Sequence, residues 1–370
     1  MDNTSGFVYP YKCLLFGVSM KFFKTLFLLV FFSPCLLAKL YGADEIVRFD
    51  ESFVDRDVIS FKQGFFTSSD PQKYIASLIQ STDNTEQFLY REAMLYRLLG
   101  EVAFHTKQAY LNDFVQQMIA YQPQAMKYHG EGRHQVPVYA IRSKALGIEN
   151  IWRTNDALSF YQSAFELNPI NALIQLAHNK SKLSMPDFLG LKNSIDTFSD
   201  KTEALVSQYL QDNSTGGSVL NQFTVYFALK TKDKLLISGR MNTLDSKNQQ
   251  LLLRKIPQVF ADEFVVEQLK GSVEKGHSSR FALSLLSPFI DKENGVKDFV
   301  LSALDDKSLA SSAVFVLSQT KDVKFISGLK VKYRVSDSKI LKNNIKMLLR
   351  LNQLPEAKIV LNDLIRGEVK

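Results

Sequence analysis

The densest group of potential ligand side chains is His129-Gly-Glu-Gly-Arg-His134. Two imidazoles and a carboxylate suit a zinc ion that keeps water in an open fourth position. The spacing is not His-Glu-x-x-His, which sets two histidines one turn apart on a helix, and the interleaved glycines oppose a helix. His-x-Glu also opens the zinc deaminase signature, but the Pro-Cys-x-x-Cys that must follow is absent. His129, Glu131 and His134, with Tyr128 beside them, are thus the working set of one reading, an all-helical envelope enzyme such as a polysaccharide lyase or metal-assisted hydrolase. Against it stands a solvated loop between helices. The expectation is the loop, with no metal, no cofactor and no catalytic residue.

Elsewhere the chemistry-bearing residues are dispersed. His105, His178 and His277 stand singly. No Gly-x-Ser-x-Gly elbow and no Gly-x4-Gly-Lys-[Ser/Thr] phosphate loop occurs. Both cysteines, Cys13 and Cys35, lie in the first 43 residues. From Asp44 onward disulfides, thiolate zinc sites and a cysteine nucleophile are excluded. The single tryptophan, Trp152, is too little aromatic surface for a cleft that stacks long sugars, and is expected to pack a turn. The 28 phenylalanines fall mostly at helical spacing and read as core.

Formal net charge is +7, of which Lys12, Lys21, Lys24 and Lys39 against Asp2 place +3 in the first 43 residues, leaving +4 for the rest. That balance makes no case for nucleic acid. The most basic stretch is 321–346, where Lys321, Lys324, Lys330, Lys332, Arg334, Lys339, Lys342 and Lys346 face only Asp322 and Asp337. It suits an anionic membrane surface, an acidic partner or a glycan, with Lys330, Lys332 and Arg334 as its centre; the plainer reading is a solvated helical face.

The elements that must position these residues read as helices. Apolar spacing of i, i+3, i+4, i+7 predicts helices over 88–104, 109–121, 138–150, 156–167, 170–183, 186–198 and 201–210. In the second half it predicts helices over 220–229, 247–260, 263–273, 279–290, 296–304, 309–317, 340–351 and 355–365. Asp70-Pro71 marks a further helix start. Residues 122–137 read as a loop, 44–56 are acidic and unassigned, and no run alternates as a strand. Starts near Asp262, Lys292 and Lys321 recur about every thirty residues, the period of helical hairpin repeats.

The clearest stretch is Asn155-Asp-Ala-Leu-Ser-Phe-Tyr-Gln-Ser-Ala-Phe-Glu-Leu-Asn-Pro169. Ala157, Phe160, Tyr161, Ala164, Phe165 and Leu167 form its apolar face, with Asn155 or Asp156 as cap. It resembles the second helix of a tetratricopeptide (TPR) repeat on Ala157, Tyr161, Ala164 and the closing Pro169. Residues 338–366 echo it through Ala357, Leu361 and Leu364, without the proline. The middle repeats carry no sharp signature and fit HEAT-like hairpins equally. The resemblance implies an all-α fold of stacked antiparallel helical hairpins, an α-solenoid. It also implies a ligand face on the first helix of the hairpin, here Tyr139, Arg142 and Asn150.

Met20-Lys-Phe-Phe-Lys24 followed by the apolar run 25–32, Ser33-Pro34 and Cys-Leu-Leu-Ala38 has the layout of a secretory signal peptide. Cleavage after Ala38 or Ala43 would export the chain, by expectation to a bacterial periplasm. Cys35 offers a lipoprotein alternative that Pro34 opposes, and an uncleaved anchor is another. Expected organisation is a leader over 1–43 with its start at Met20, a helical repeat region over 44–212, a Gly216-Gly217 linker and a second repeat region over 219–370. Three functions follow in order of expectation. The first is an exported non-enzymatic adaptor or scaffold that binds another envelope protein or peptide. The others are the enzyme using residues 128–134 and a binder of anionic lipid or glycan through 321–346.

Overall fold

The computed structural model describes residues 38–49, 51–68, 70–80, 87–130, 134–179, 181–213, 216–275, 278–293 and 295–368. The fold is predominantly helical, with 19 α-helices and one small sheet among the described residues. Among them no helix is long and apolar enough to cross a membrane. The leader expected over 1–43 falls almost wholly outside the described residues.

The chain divides into two compact units between Glu149 and Asn150. The first contains β1 (Lys39–Leu40), α1 (Ala43–Arg48), α2 (Glu51–Thr67), α3 (Pro71–Gln80), α4 (Gln87–Val102), α5 (Ala109–Ala120), β2 (Ala125–Tyr128), β3 (Gln135–Pro137) and the start of α6 (Ile141–Leu167). Helix α2 packs on α3 and α4, and α3 on α5. The turn between α2 and α3 brings Gly64 against Tyr74, where a Cβ would lie 2.5 Å from the ring. Strand β1 runs parallel to β2, and β2 pairs antiparallel with β3.

Three expectations are corrected in this unit. Residues 122–137 hold a hairpin, because strands of three and four residues are too short to display alternation and their third partner comes from 39–40. Within the unassigned segment 44–56, residues 44–48 and 51–56 are helical; the apolar stripe of α2 at Val54, Val58 and Phe65 is hidden in the sequence by the acidic residues between. Residues 138–167 are not two helices joined by a turn. Helix α6 runs unbroken over 27 residues. Ile151-Trp-Arg-Thr-Asn155 holds neither Gly nor Pro, so nothing stops the backbone ladder, and Trp152 is buried within the helix instead of packing a turn.

The second unit comprises the rest of α6, then α7 (Pro169–His178), α8 (Met185–Ser194), α9 (Asp200–Asp212), α10 (Ser218–Thr231), α11 (Lys234–Arg240), α12 (Ser246–Lys255), α13 (Asp262–Lys275), α14 (Ser279–Ser284), α15 (Val296–Ser302), α16 (Ala310–Leu317), α17 (Val323–Val335), α18 (Lys339–Leu351) and α19 (Pro355–Glu368). Pro169 does end the preceding helix, but its main role is to open α7, where the Asn168 side chain accepts from Asn171 N–H at 3.0 Å. Helices α11 and α17 lie outside the segments that apolar spacing predicts. Each begins at an aspartate, Asp233 or Asp322, whose carboxylate caps the third N–H.

The helices of this unit fall into two rows. Even-numbered helices pack in succession, α8 on α10, then α12, α14, α16 and α18. Their starts at Ser246, Ser279, Ala310 and Lys339 lie about thirty residues apart. The odd row follows the same order. Helices α7, α9 and α11 pack in turn, as do α17 and α19. Between them, Gln268 donates to Ser238 at 3.1 Å, Lys270 to the Gly295 carbonyl at 3.3 Å and Lys297 to Asp322 at 2.5 Å. One apolar core runs from Phe165 to Leu364. The recurrence expected near Asp262, Lys292 and Lys321 matches the starts of α13, α15 and α17. Residues 216–217 lie inside this unit, with Gly217 capping α10 and its Cα facing the Ala177 carbonyl so closely that a Cβ would sit 3.1 Å away.

Candidate functional site

Tyr128, His129 and His134 lie at the end of the β2–β3 hairpin, where His129 N–H donates to the His134 carbonyl at 3.0 Å. Both histidines and Tyr128 are exposed, and Glu131 lies outside the described residues. Among the described residues no group of three His, Cys, Asp or Glu side chains is placed to hold a metal. His105 stacks on Phe66 with ring centroids 4.3 Å apart, a packing role.

The buried charges of the first unit carry no motif in sequence. Arg91 and Glu92 on α4 are both buried. The Glu92 carboxylate accepts from Gln124 N–H at 2.5 Å, Ala125 N–H at 3.1 Å and the Tyr121 hydroxyl at 3.3 Å. Arg91 donates to the Ile79 carbonyl at 3.3 Å and to the Gln124 side chain. Burial pushes the Glu92 carboxyl above its usual range, against the opposing pull of those donors and of Arg91. Burial, with the nearby Glu92 charge, pushes the Tyr121 hydroxyl up as well. The network ties the end of α3 and the start of β2 to α4. Its role is structural.

In the second unit a groove of about 380 Å³ lies between α6 and α8. Asn150, Ile151, Thr154 and Asn155 line it from α6, and Met185, Pro186 and Leu189 from α8. At the next residue of α8 the helices almost touch. A Cβ on Gly190 would lie 2.5 Å from the Ala157 Cβ and 2.6 Å from the Leu158 nitrogen. This close approach holds α6 and α8 in register. At the start of α8, Ser184 caps the helix and accepts from Arg153 at 3.2 Å, while Arg153 pairs with Asp187 at 3.5 Å. The groove keeps Ile151, Met185 and Leu189 exposed, with relative areas of 47%, 70% and 37%. An apolar slot edged by carboxamides can hold a small side chain and pair both donors and acceptors of an extended backbone.

The residues singled out by sequence are distributed as follows. Asn150 lines the groove. Tyr139 packs near Tyr96, ring centroids 5.8 Å apart, and Arg142 is exposed on α6. Ala157 meets Gly190, while Tyr161 and Ala164 pack partly buried on the main core with Phe165 fully inside. Phe160 and Leu167 are exposed, so the apolar face read on this helix is narrower than its composition. Ala357 and Leu364 are buried and Leu361 packs beside them. The basic stretch is split between two helices. Lys330 pairs with Asp363 at 2.5 Å, Lys342 and Lys346 lie over the Tyr333 ring, and Lys332 and Arg334 are exposed. Met185 and Leu189 escape sequence reasoning as site residues, because exposure on an amphipathic helix is decided by its neighbours.

Comparison with protein-family models, with curated proteins and with solved structures returns no match to this chain.

Proposed function

We propose that this chain is an exported, non-enzymatic α-solenoid, TPR-like or HEAT-like in its stacking, that binds an extended segment of another envelope protein as an adaptor. The leader layout supports export. The two rows of helices on a period of about thirty residues support the solenoid, since a helix pair buries its apolar face only by stacking on the next. The observation that carries the binding role is the groove between α6 and α8, where Ile151, Met185 and Leu189 stay exposed beside Asn150 and Asn155. An apolar anchor in such a slot, with main-chain pairing at its edge, is how an extended peptide gains both affinity and register.

The test is purification of the mature chain from its native envelope after mild crosslinking, alongside an Ile151→Asp, Leu189→Asp variant. Both positions are solvent-accessible, so the variant should keep its melting temperature. The expected result is one reproducible protein partner, lost in the variant. A partner retained by the folded variant would remove the groove from the reading, and bound metal or glycan without protein would overturn the adaptor role.

A further inference from the structure

Helices α17 and α19 each expose a stripe of the same composition. On α17 the residues at 324, 327, 328, 331, 332 and 335 face solvent, at the i, i+3, i+4 spacing of one face. They include Val331 and Val335, exposed by 64% and 73%, with Lys324 and Lys332. On α19 the exposed residues at 358, 359, 362, 365 and 366 include Ile359 and Ile365, exposed by 59% and 42%, with Lys358 and Arg366. Neither stripe contains a carboxylate.

The two stripes belong to one surface. Helices α17 and α19 pack on each other, and both bury their opposite faces, Ile326, Leu329 and Tyr333 on one and Ala357, Val360 and Leu364 on the other. Lys330 of α17 reaches Asp363 of α19. Lys330, then Arg366 and Arg334, hold the Asp363 carboxyl below its usual range, so cations from both helices converge there on a single acid. Positive charge in excess, interleaved with four exposed aliphatic side chains, is the composition of a face that lies on anionic headgroups and sinks its apolar groups to the acyl boundary. An acidic protein would satisfy the cations but leaves the aliphatics without a fitted counterpart.

We propose that the outward faces of α17 and α19 dock onto an anionic membrane surface, through Lys324, Lys332, Arg334 and Arg366 with Val331 and Val335. This surface is distinct from the groove between α6 and α8, and neither reading depends on the other.

The experiment is co-sedimentation of the full chain with vesicles of phosphatidylcholine alone and of equal parts phosphatidylglycerol and phosphatidylcholine. Each basic side chain at an anionic surface contributes about fivefold in partitioning. Binding is expected to the anionic vesicles only, to weaken steeply between about 0.05 M and 0.5 M salt, and to fall by about a hundredfold in a Lys324→Gln, Lys332→Gln, Arg366→Gln variant. The matched Lys247→Gln, Arg254→Gln, Lys255→Gln variant on α12 should bind as the unaltered chain does. Equal binding to neutral vesicles, indifference to salt, or equal loss in both variants overturns the proposal. Failure to bind vesicles together with capture by immobilised polyglutamate would assign the face to an acidic protein instead.

Discussion

In residues 38–149 a buried arginine and carboxylate clamp a small hairpin to a helix; in residues 150–368 helices stack on an apolar core, with the carboxylates at caps and rims and Arg240 the buried charge among the described residues. Glu92 meets two backbone amides and a phenol inside the first unit. In the second unit Asp291 and Asp322 face the ammonium of Lys297 at 3.2 Å and 2.5 Å near the surface. The difference is instructive because the two kinds of acid respond oppositely to protons. Burial raises Glu92. Asp322 is lowered by Lys297 first and then by the Phe325 N–H, and Asp291 is lowered because donors from Lys321, Thr320 and Lys297 outweigh burial.

Removing the clamp should give the largest effect. Glu92→Ala leaves the Gln124 and Ala125 amides buried without this acceptor and removes the charge that opposes Arg91, which costs about 3–5 kcal/mol. Segment-resolved hydrogen exchange should show loss of protection in the first unit with the second little changed. Loss spread evenly over the chain would mean that the two regions do not differ in the way described.

Next in size is the contact between α6 and α8. Gly190→Ala forces a methyl into Ala157 and the Leu158 backbone and should cost about 1–3 kcal/mol. Gly147→Ala, on the same α6 where a Cβ meets nothing within 4 Å, should instead stabilise by about 0.5–1 kcal/mol. Thermal melts of the pair settle this by sign, since the substitution is identical and only the space differs.

The pH response is smaller and sharper as a test. A carboxyl raised in the folded state contributes stability in full below its unfolded value of about 4.3 and loses it as pH climbs to the folded value. The contribution of Glu92 therefore grows on acidification from neutrality. Asp291 and Asp322 contribute in full above about 3.9 and lose it as pH falls through their lowered values. Exchange protection, corrected for intrinsic rates, should rise in the first unit between neutrality and about pH 4.3 and fall in the second below about pH 3.9. Glu92→Gln should flatten the first response alone; a slope that persists there would remove Glu92 as its source.

The smallest expected effect is at the surface. Lys330→Ala breaks an ion pair that is about one-third exposed on the lysine side, and should change the melting free energy by no more than about 1 kcal/mol.

Much of the second unit is legible in the sequence. Apolar residues at helical spacing mark nearly all of its helices, and the recurrence near Asp262, Lys292 and Lys321 marks its period. Two helices lie outside the apolar spacing, α11 because its apolar residues Leu235, Leu236 and Ile237 are consecutive and α17, whose start the recurrence marks, because four lysines or arginines interrupt its stripe. The candidate site is legible only through Asn150. Its other walls belong to α8, whose Met185 and Leu189 carry no signal that distinguishes a lining residue from a core one.

Composition and spacing alone determined that the chain is helical, that cysteine chemistry is excluded beyond Cys35, and that its helix pairs recur about every thirty residues. These follow from local backbone preference and from which residue types are present at all. Tertiary structure decided that Ala125 and Met126 pair with a strand from 39–40, and that Ala157 meets Gly190. A sheet and a close approach each depend on a partner distant in the chain, and no window of neighbouring residues contains both halves of such a contact.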